Sequence, residues 1–149
     1  SVVLADPGLR MSGNRPALAG ALGNLVQNAL QVAGETARVE LGAARTDAGE
    51  VWLTVTDNGP GVDEALRERI FEPFFTTRRQ GTGLGLAVVR SVAAAHGGSV
   101  SVENHGDGAT FLLRLPGTAG TPLLASRTAF ARAGEAAAAR TRNEFRSHP

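Results

Sequence analysis

The sequence predicts an α+β protein, a two-layer α/β sandwich with helices packed on one face of a mixed sheet. Three observations carry that prediction. Strand-like runs come in adjacent pairs, 37–43 with 51–57 and 99–103 with 110–115, each pair joined by a short polar turn. A long helical pattern precedes the first pair, and a glycine-rich loop opens a second helical pattern before the other. Adjacent pairing differs from the strict strand–helix alternation of a doubly wound parallel sheet.

The elements follow in order. Residues 1–4 read as a short edge strand. Asn14 is a candidate N-cap and Pro16 suits a first helical turn; Leu18, Leu22, Leu25, Val26, Ala29 and Leu30 then recur at helical spacing until Gly34. The first strand pair is separated by the polar turn 45–50. Asp63 is expected to cap a short helix over 64–70 that Pro73 stops. The loop 81–85 leads into a helix over 86–96, which Gly97 and Gly98 terminate. The last two strands form a hairpin across His105-Gly106-Asp107-Gly108.

Composition narrows the chemistry. A chain of 149 residues suits one domain with a core of its own. There is no cysteine, which excludes disulfides, thiolate zinc sites and thiol nucleophiles. All 15 basic residues are arginine; without lysine, a Walker A loop, a Schiff-base enzyme and a kinase of the eukaryotic protein-kinase type are excluded. A net charge of +1 makes no bulk electrostatic case for nucleic acid or a membrane surface. No apolar run approaches the roughly 18 residues of a membrane span, and no signal peptide opens the chain. The expectation is a soluble, cytoplasmic domain. Residues 1–116 carry 10 Arg against 12 acids, whereas 117–149 carry 5 against 2 and are rich in alanine, which places a boundary near Gly117. The tail 117–149 is expected to be helical, anchored by Leu123, Leu124 and Phe130, or disordered.

Three features could carry chemistry. Period two puts Val51, Leu53, Val55 and Asp57 on one strand face, so an aspartate continues the core-facing row. Either it is buried and needs a donor, or the strand has ended and Asp57 turns the chain in Asp-Asn-Gly-Pro-Gly. Asn24 and Asn28 lie one turn apart on the long helix, with Gln27 and Gln31 on the same side. They form either a solvated edge or a polar lining for a ligand, and an amide oxygen suits Mg²⁺. Gly81-Thr82-Gly83-Leu84-Gly85-Leu86 opens a helix, where backbone N–H groups can approach an anion. With Glu103 22 residues after Gly81, this loop half-fits a dinucleotide fingerprint. The third glycine, however, falls at offset four instead of five.

In this order the three features resemble the ATP-binding catalytic domain of bacterial sensor histidine kinases, the Bergerat fold shared with gyrase, Hsp90 and MutL. The N box resembles 22–29, the G1 box Asp57-Asn58-Gly59-Pro60-Gly61-Val62, the F box Phe71-Glu72-Pro73-Phe74-Phe75-Thr76-Thr77, and the G2 box 81–86. Residues 106–111 resemble the final glycine-containing turn and strand. The likeness covers about residues 1–116, and 28–31 look similar to the nitrogen- and flagellar-regulatory branch, whose response regulators drive σ54-dependent transcription.

The resemblance implies a site. Asp57 would accept a hydrogen bond from the adenine amine, with Thr110 beside it. Gly59 and Gly61 would let the chain pass close to the base, with Val62 and Phe71 in the pocket. Asn28 would ligate Mg²⁺ and Asn24 would lie near the γ-phosphate. Gly81, Thr82, Gly83, Leu84, Gly85 and Leu86 would form the phosphate-binding turn and the hinge of a short lid reaching back to Thr77. Two departures stand out. ATPase relatives carry a general-base Glu where this chain has Asn24, and an amide cannot deprotonate water, so transfer is favoured over hydrolysis. Many relatives carry a basic residue in place of Gln31 and a Lys after the F box; here Arg78 and Arg79 follow it, and one of them is expected to neutralise phosphate.

The implied function is donation of the γ-phosphate of Mg-ATP to a histidine on a separate dimerisation domain, which then supplies a response regulator. His96, His105 and His148 lack the following Glu of a phosphoacceptor, so the acceptor is expected outside this sequence. Alternatives are a serine kinase of the anti-sigma-factor type and a non-catalytic nucleotide-binding regulatory domain.

Overall fold

The computed structural model describes residues 2–4, 8–78, 81–106 and 108–117. Five strands form one sheet in the order β1-β2-β3-β5-β4: β1 (Val2–Leu4), β2 (Val39–Arg45), β3 (Val51–Asp57), β4 (Ser99–His105) and β5 (Gly108–Leu115). β1 runs parallel to β2 and the other pairs are antiparallel, so the sheet is mixed, as predicted. Two helices, α1 (Arg15–Ala33) and α2 (Gly85–Ala95), pack against it and against each other.

Local chemistry sets the ends of α1. The Asn14 side chain accepts from Ala17 N at 3.1 Å, Pro16 occupies the first turn, and Gly34 at φ 66° closes the helix. The 3₁₀ turn that follows, Gly34–Thr36, delays β2 by two residues from the predicted 37. α2 begins at Gly85, and Gly97 at φ 71° releases the chain toward β4. The β4–β5 hairpin is tighter than predicted: His105 pairs with Gly108 across two residues, and Gly106 has φ 50°.

The core lies between sheet and helices. Leu25, Ala21 and Ala29 of α1 and Val89 of α2 are buried against Val55, Phe111 and Leu113. Alanines at the helix–sheet contact allow close approach, which is one use of the chain's alanine content. Phe71 meets Phe111 edge to face, ring centroids 6.3 Å apart, and pins the segment after β3 to the core. Met11 packs in a second cluster around Leu18, Val51 and Leu115. Trp52 lies on the other sheet face, donating its Nε1–H to Glu50 and stacking under Arg114.

The short helix expected over 64–70 is not an α-helix. Two 3₁₀ turns, Glu64–Leu66 and Arg69–Phe71, replace it, with Asp63 capping the first through Ala65 N at 2.9 Å. Seven residues are too few to nucleate an α-helix without an apolar face to pack. The expected tail beyond residue 117, with Leu123, Leu124 and Phe130, lies outside the described residues, as does Asp107.

Candidate functional site

Asp57 ends β3 with its side chain turned to the helix side of the sheet, and at 3% exposure it is the one charged residue buried among those described. Its Oδ1 accepts from Gly59 N at 2.8 Å, while Oδ2 is buried without a partner. A Cβ on Gly59 would stand 2.9 Å from Asp57 Oδ1 and 3.0 Å from Val32 Cγ2, so only glycine lets the chain pass here. Gly59 thus lies between Asp57 Oδ1 and Val32, and Val32 lines a cavity of about 420 Å³ between α1, α2 and the segment after β3.

Most candidate residues meet in that cavity. α1 contributes Asn24, Asn28 and Gln31, together with Gln27; the loop after β3 contributes Gly61 and Val62. Thr77, Arg78, Gly81, Thr82 and Gly83 line it from the short lid, and Gly85 and Leu86 from the start of α2. Asp57, Gly59, Phe71, Leu84 and Thr110 are not in its lining. Phe71 is buried in the core, and Leu84 is 42% exposed. Arg79 lies outside the described residues, as does His148.

Thr110 does not sit beside Asp57. It pairs directly with Thr56, the two hydroxyls 2.9 Å apart. Because side chains alternate along a strand, that pair occupies the face opposite Asp57. The residue of β5 on Asp57's side is the buried Ala109.

The polar side of the cavity is organised by amides. Asn24 Nδ2 donates to the Gly85 carbonyl at 3.2 Å, tying α1 to the first turn of α2. Arg78 donates one guanidinium nitrogen to Asn28 Oδ1 at 3.0 Å and another to Gln31 Oε1. The cation thus reaches the position where the chain has Gln31 instead of a basic side chain. α2 starts with no side-chain cap at Leu84, so N–H groups of its first turn remain available to an anion.

The backbones of Phe74 and Gly83 meet ahead of α2. Phe74 N donates to the Gly83 carbonyl at 2.9 Å, and a Cβ on Gly83, at φ 67°, would collide with the Phe74 backbone. Phe74 itself has φ 67° and is 76% exposed, an unusual conformation for a bulky residue.

Several lining residues had no role in the sequence reading. Leu66, Ile70, Phe75, Thr76 and Phe111 supply apolar and hydroxyl surface, and Asp63 lines the cavity besides capping a turn. Leu66 and Ile70 are placed by the 3₁₀ turns, which leave no periodic signal, and Phe111 by β5. A second cavity of about 400 Å³, at the opposite end of the sheet by Glu50, Gly98 and Arg114, holds no candidate residue. Among the described residues no group of three His, Asp or Glu side chains is placed to hold a metal. Nor is any described helix long and apolar enough to cross a membrane. His96 is engaged structurally: its Nε2 accepts from Asn14 N at 2.9 Å and its Nδ1 pairs with the Val92 carbonyl at 2.7 Å.

Residues 13–119 match the family described as "Histidine kinase-, DNA gyrase B-, and HSP90-like ATPase". The C4-dicarboxylate transport sensor protein DctB of Rhizobium meliloti (strain 1021) is 41% identical over 116 residues, 75% of this chain and 18% of DctB. Among solved structures, the nucleotide-free catalytic domain of the histidine kinase ThkA aligns with a TM-score of 0.72 at 36% identity, covering 78% of this chain and 76% of that one. ThkA in complex with the response regulator protein TrrA aligns at 0.69 and 32% identity, over 78% and 33% of the chains. Full-length ShkA in complex with AMPPNP aligns at 0.72 and 38% identity, over 83% and 26%.

Proposed function

Since the chain belongs to the histidine kinase-, DNA gyrase B-, and HSP90-like ATPase family and is a catalytic domain of the two-component sensor histidine kinase type, we propose that it binds Mg-ATP and presents the γ-phosphate to a histidine on a separate dimerisation domain. The observation that carries this reading is the unpartnered Oδ2 of Asp57, a buried acceptor beside the cavity wall. An unpaired buried carboxylate oxygen is costly, and the exocyclic amine of adenine is a donor of the right kind. Gly59 and Gly61 let the loop pass close to Asp57 Oδ1 and to the Asn104 amide, and Val62, Ile70 and Leu86 supply apolar surface in the cavity.

The phosphates would then extend toward α1 and the first turn of α2. There Arg78 and the uncapped N–H groups offset their charge. The Asn28 amide oxygen is a hard donor of the type Mg²⁺ accepts, and with no acidic cluster beside it among the described residues the phosphates would supply the ion's other non-water ligands. Bound Mg²⁺ would supply charge neutralisation at the phosphates. Asn24 would border the γ-phosphate and, being an amide, would activate no water, which favours transfer over hydrolysis. Rate enhancement would come from positioning and electrostatic stabilisation.

The chain spans 18% of the length of DctB, so acceptor histidine, response regulator and stimulus belong to the proposal for the longer kinase. The complex of ThkA with a response regulator supports a response regulator as the downstream partner. Cytoplasmic placement, membership of the nitrogen- and flagellar-regulatory branch and a domain boundary near Gly117 are proposed with it; the end of the family match at 119 supports the boundary.

The test is transfer of radiolabel from γ-labelled ATP to a separately expressed acceptor domain. Acid-labile, base-stable label on histidine is expected. Label on serine, or ATP binding without any transfer, would overturn the kinase reading.

A further inference from the structure

The loop between Asp57 and Asp63 is held at both ends by asparagine amides. At its start, Asn58 Oδ1 accepts from Arg38 N at 2.7 Å and Nδ2 donates to the Thr36 carbonyl at 3.0 Å. At its end, Asn104 Oδ1 accepts from Val62 N at 2.9 Å and Nδ2 donates to the Val62 carbonyl at 2.8 Å. One side chain thus pairs with both backbone groups of Val62, in place of the neighbouring strand this segment lacks. Asn104 follows Val100 and Val102 on β4, and period two carries it to the helix side of the sheet, the side Asp57 faces. The fit is close: a Cβ on Gly61, which has φ 74°, would lie 3.0–3.1 Å from the Asn104 amide.

We propose that Asn104 is a positioning residue for base recognition. It sets the height of Gly61 and Val62 on the cavity wall, and so the width of the slot into which a purine must slide. The inference rests on the nucleotide-binding reading and deepens it, because both lining residues are fixed by a side chain that is itself outside the cavity lining. With the bidentate pair intact, a base that reaches the Asp57 carboxylate with a donor is held in register. Without it, the loop keeps its Asn58 anchor and its glycine flexibility but loses the far support, so adenine loses its advantage over a base with an acceptor at that position.

The experiment compares ADP with inosine diphosphate, in which a carbonyl oxygen replaces the adenine amine. Binding is measured by calorimetry and competition for the 149-residue chain, for Asn104→Ala and for Asn104→Asp. The aspartate variant is isosteric and keeps the acceptor for Val62 N–H while losing the donor to the carbonyl. Expected is a roughly tenfold weaker Kd for ADP in Asn104→Ala, the size of losing one to two hydrogen bonds' worth of loop order. Inosine diphosphate should change less than threefold, and Asn104→Asp should fall between wild type and alanine. Melting curves recorded alongside confirm that each variant is folded. Unchanged ADP affinity in both variants, or equal weakening of both nucleotides, would overturn the assignment while leaving the nucleotide reading intact. A folded wild-type chain that binds no ADP would overturn both.

Discussion

A carboxylate at 3% exposure with one oxygen unpartnered lowers the stability of the free protein, because its lost hydration is only half replaced. Asp57 is therefore expected to separate stability from binding. In Asp57→Asn the new side chain can still accept from Gly59 N–H, and it removes a buried charge, so the melting temperature of the nucleotide-free chain should hold or rise. The same amide turns a donor toward the adenine amine, and calorimetry should show ADP affinity falling by about 1.5–3 kcal/mol, roughly ten- to a hundredfold. Full ADP affinity in this variant would remove Asp57 from the site. Arg78 calls for a different expectation. Its guanidinium is exposed and holds two neutral amides, Asn28 and Gln31. Arg78→Ala should cost about 1 kcal/mol in ATP affinity, near fivefold, and the loss should shrink as salt is raised. A loss independent of ionic strength would mean that Arg78 acts by packing and not by charge.

At the level of elements, the lid depends on backbone approach more than on side chains. Phe74 N–H bonds the Gly83 carbonyl, and both residues have φ 67°. Gly83→Ala puts a Cβ into the Phe74 backbone at a φ that alanine rarely adopts. The substitution should cost more than 1 kcal/mol in thermal or denaturant unfolding and weaken ATP more than it weakens adenosine, because the proposed reading puts the phosphates on the side of the cavity that Gly83 lines. Adenosine binding serves as the internal control: an equal loss for both ligands would place the damage in the base pocket. The glycine pattern 81–85 was legible in the sequence as a loop able to approach an anion. That one of its glycines also packs against the Phe74 backbone was not.

For the molecule as a whole, the cavity lies where two helices and two loops meet over one end of the sheet, so a ligand there bridges elements distant in sequence. Asn24 and Gly85 are 61 positions apart and Arg78 and Asn28 are 50 apart, yet each pair is hydrogen-bonded. A ligand that binds only this assembled state stabilises it by mass action: ADP at a hundred times its Kd should add about 2.7 kcal/mol to unfolding. The melting temperature should rise with ADP concentration, and rise clearly less in Asp57→Asn at the same concentrations. A wild-type melting temperature indifferent to millimolar ADP would count against nucleotide binding at any site of the folded chain.

The sequence by itself determined the strand pairs, the long helix with its Asn14 cap and Gly34 stop, and the grouping of the amides on one side of α1. Each is written in local periodicity or in a residue whose backbone preference acts on its neighbours. Whether Asp57 continues the core-facing row or turns the chain the sequence left open, and burial in the structure decides it. Only the tertiary structure decided which face Thr110 takes, since that depends on the β3–β5 register, which pairs it with Thr56. Only there does Asn104 meet Val62, 42 residues earlier in the chain, because the β4–β5 hairpin and the loop after β3 must both be in place first. The 3₁₀ turns between Asp63 and Phe71 belong with them: packing of Phe71 on Phe111, not local propensity, sets that path. Periodicity reports which side of an element is apolar; which partner stands opposite is settled by the chain's return from a distance.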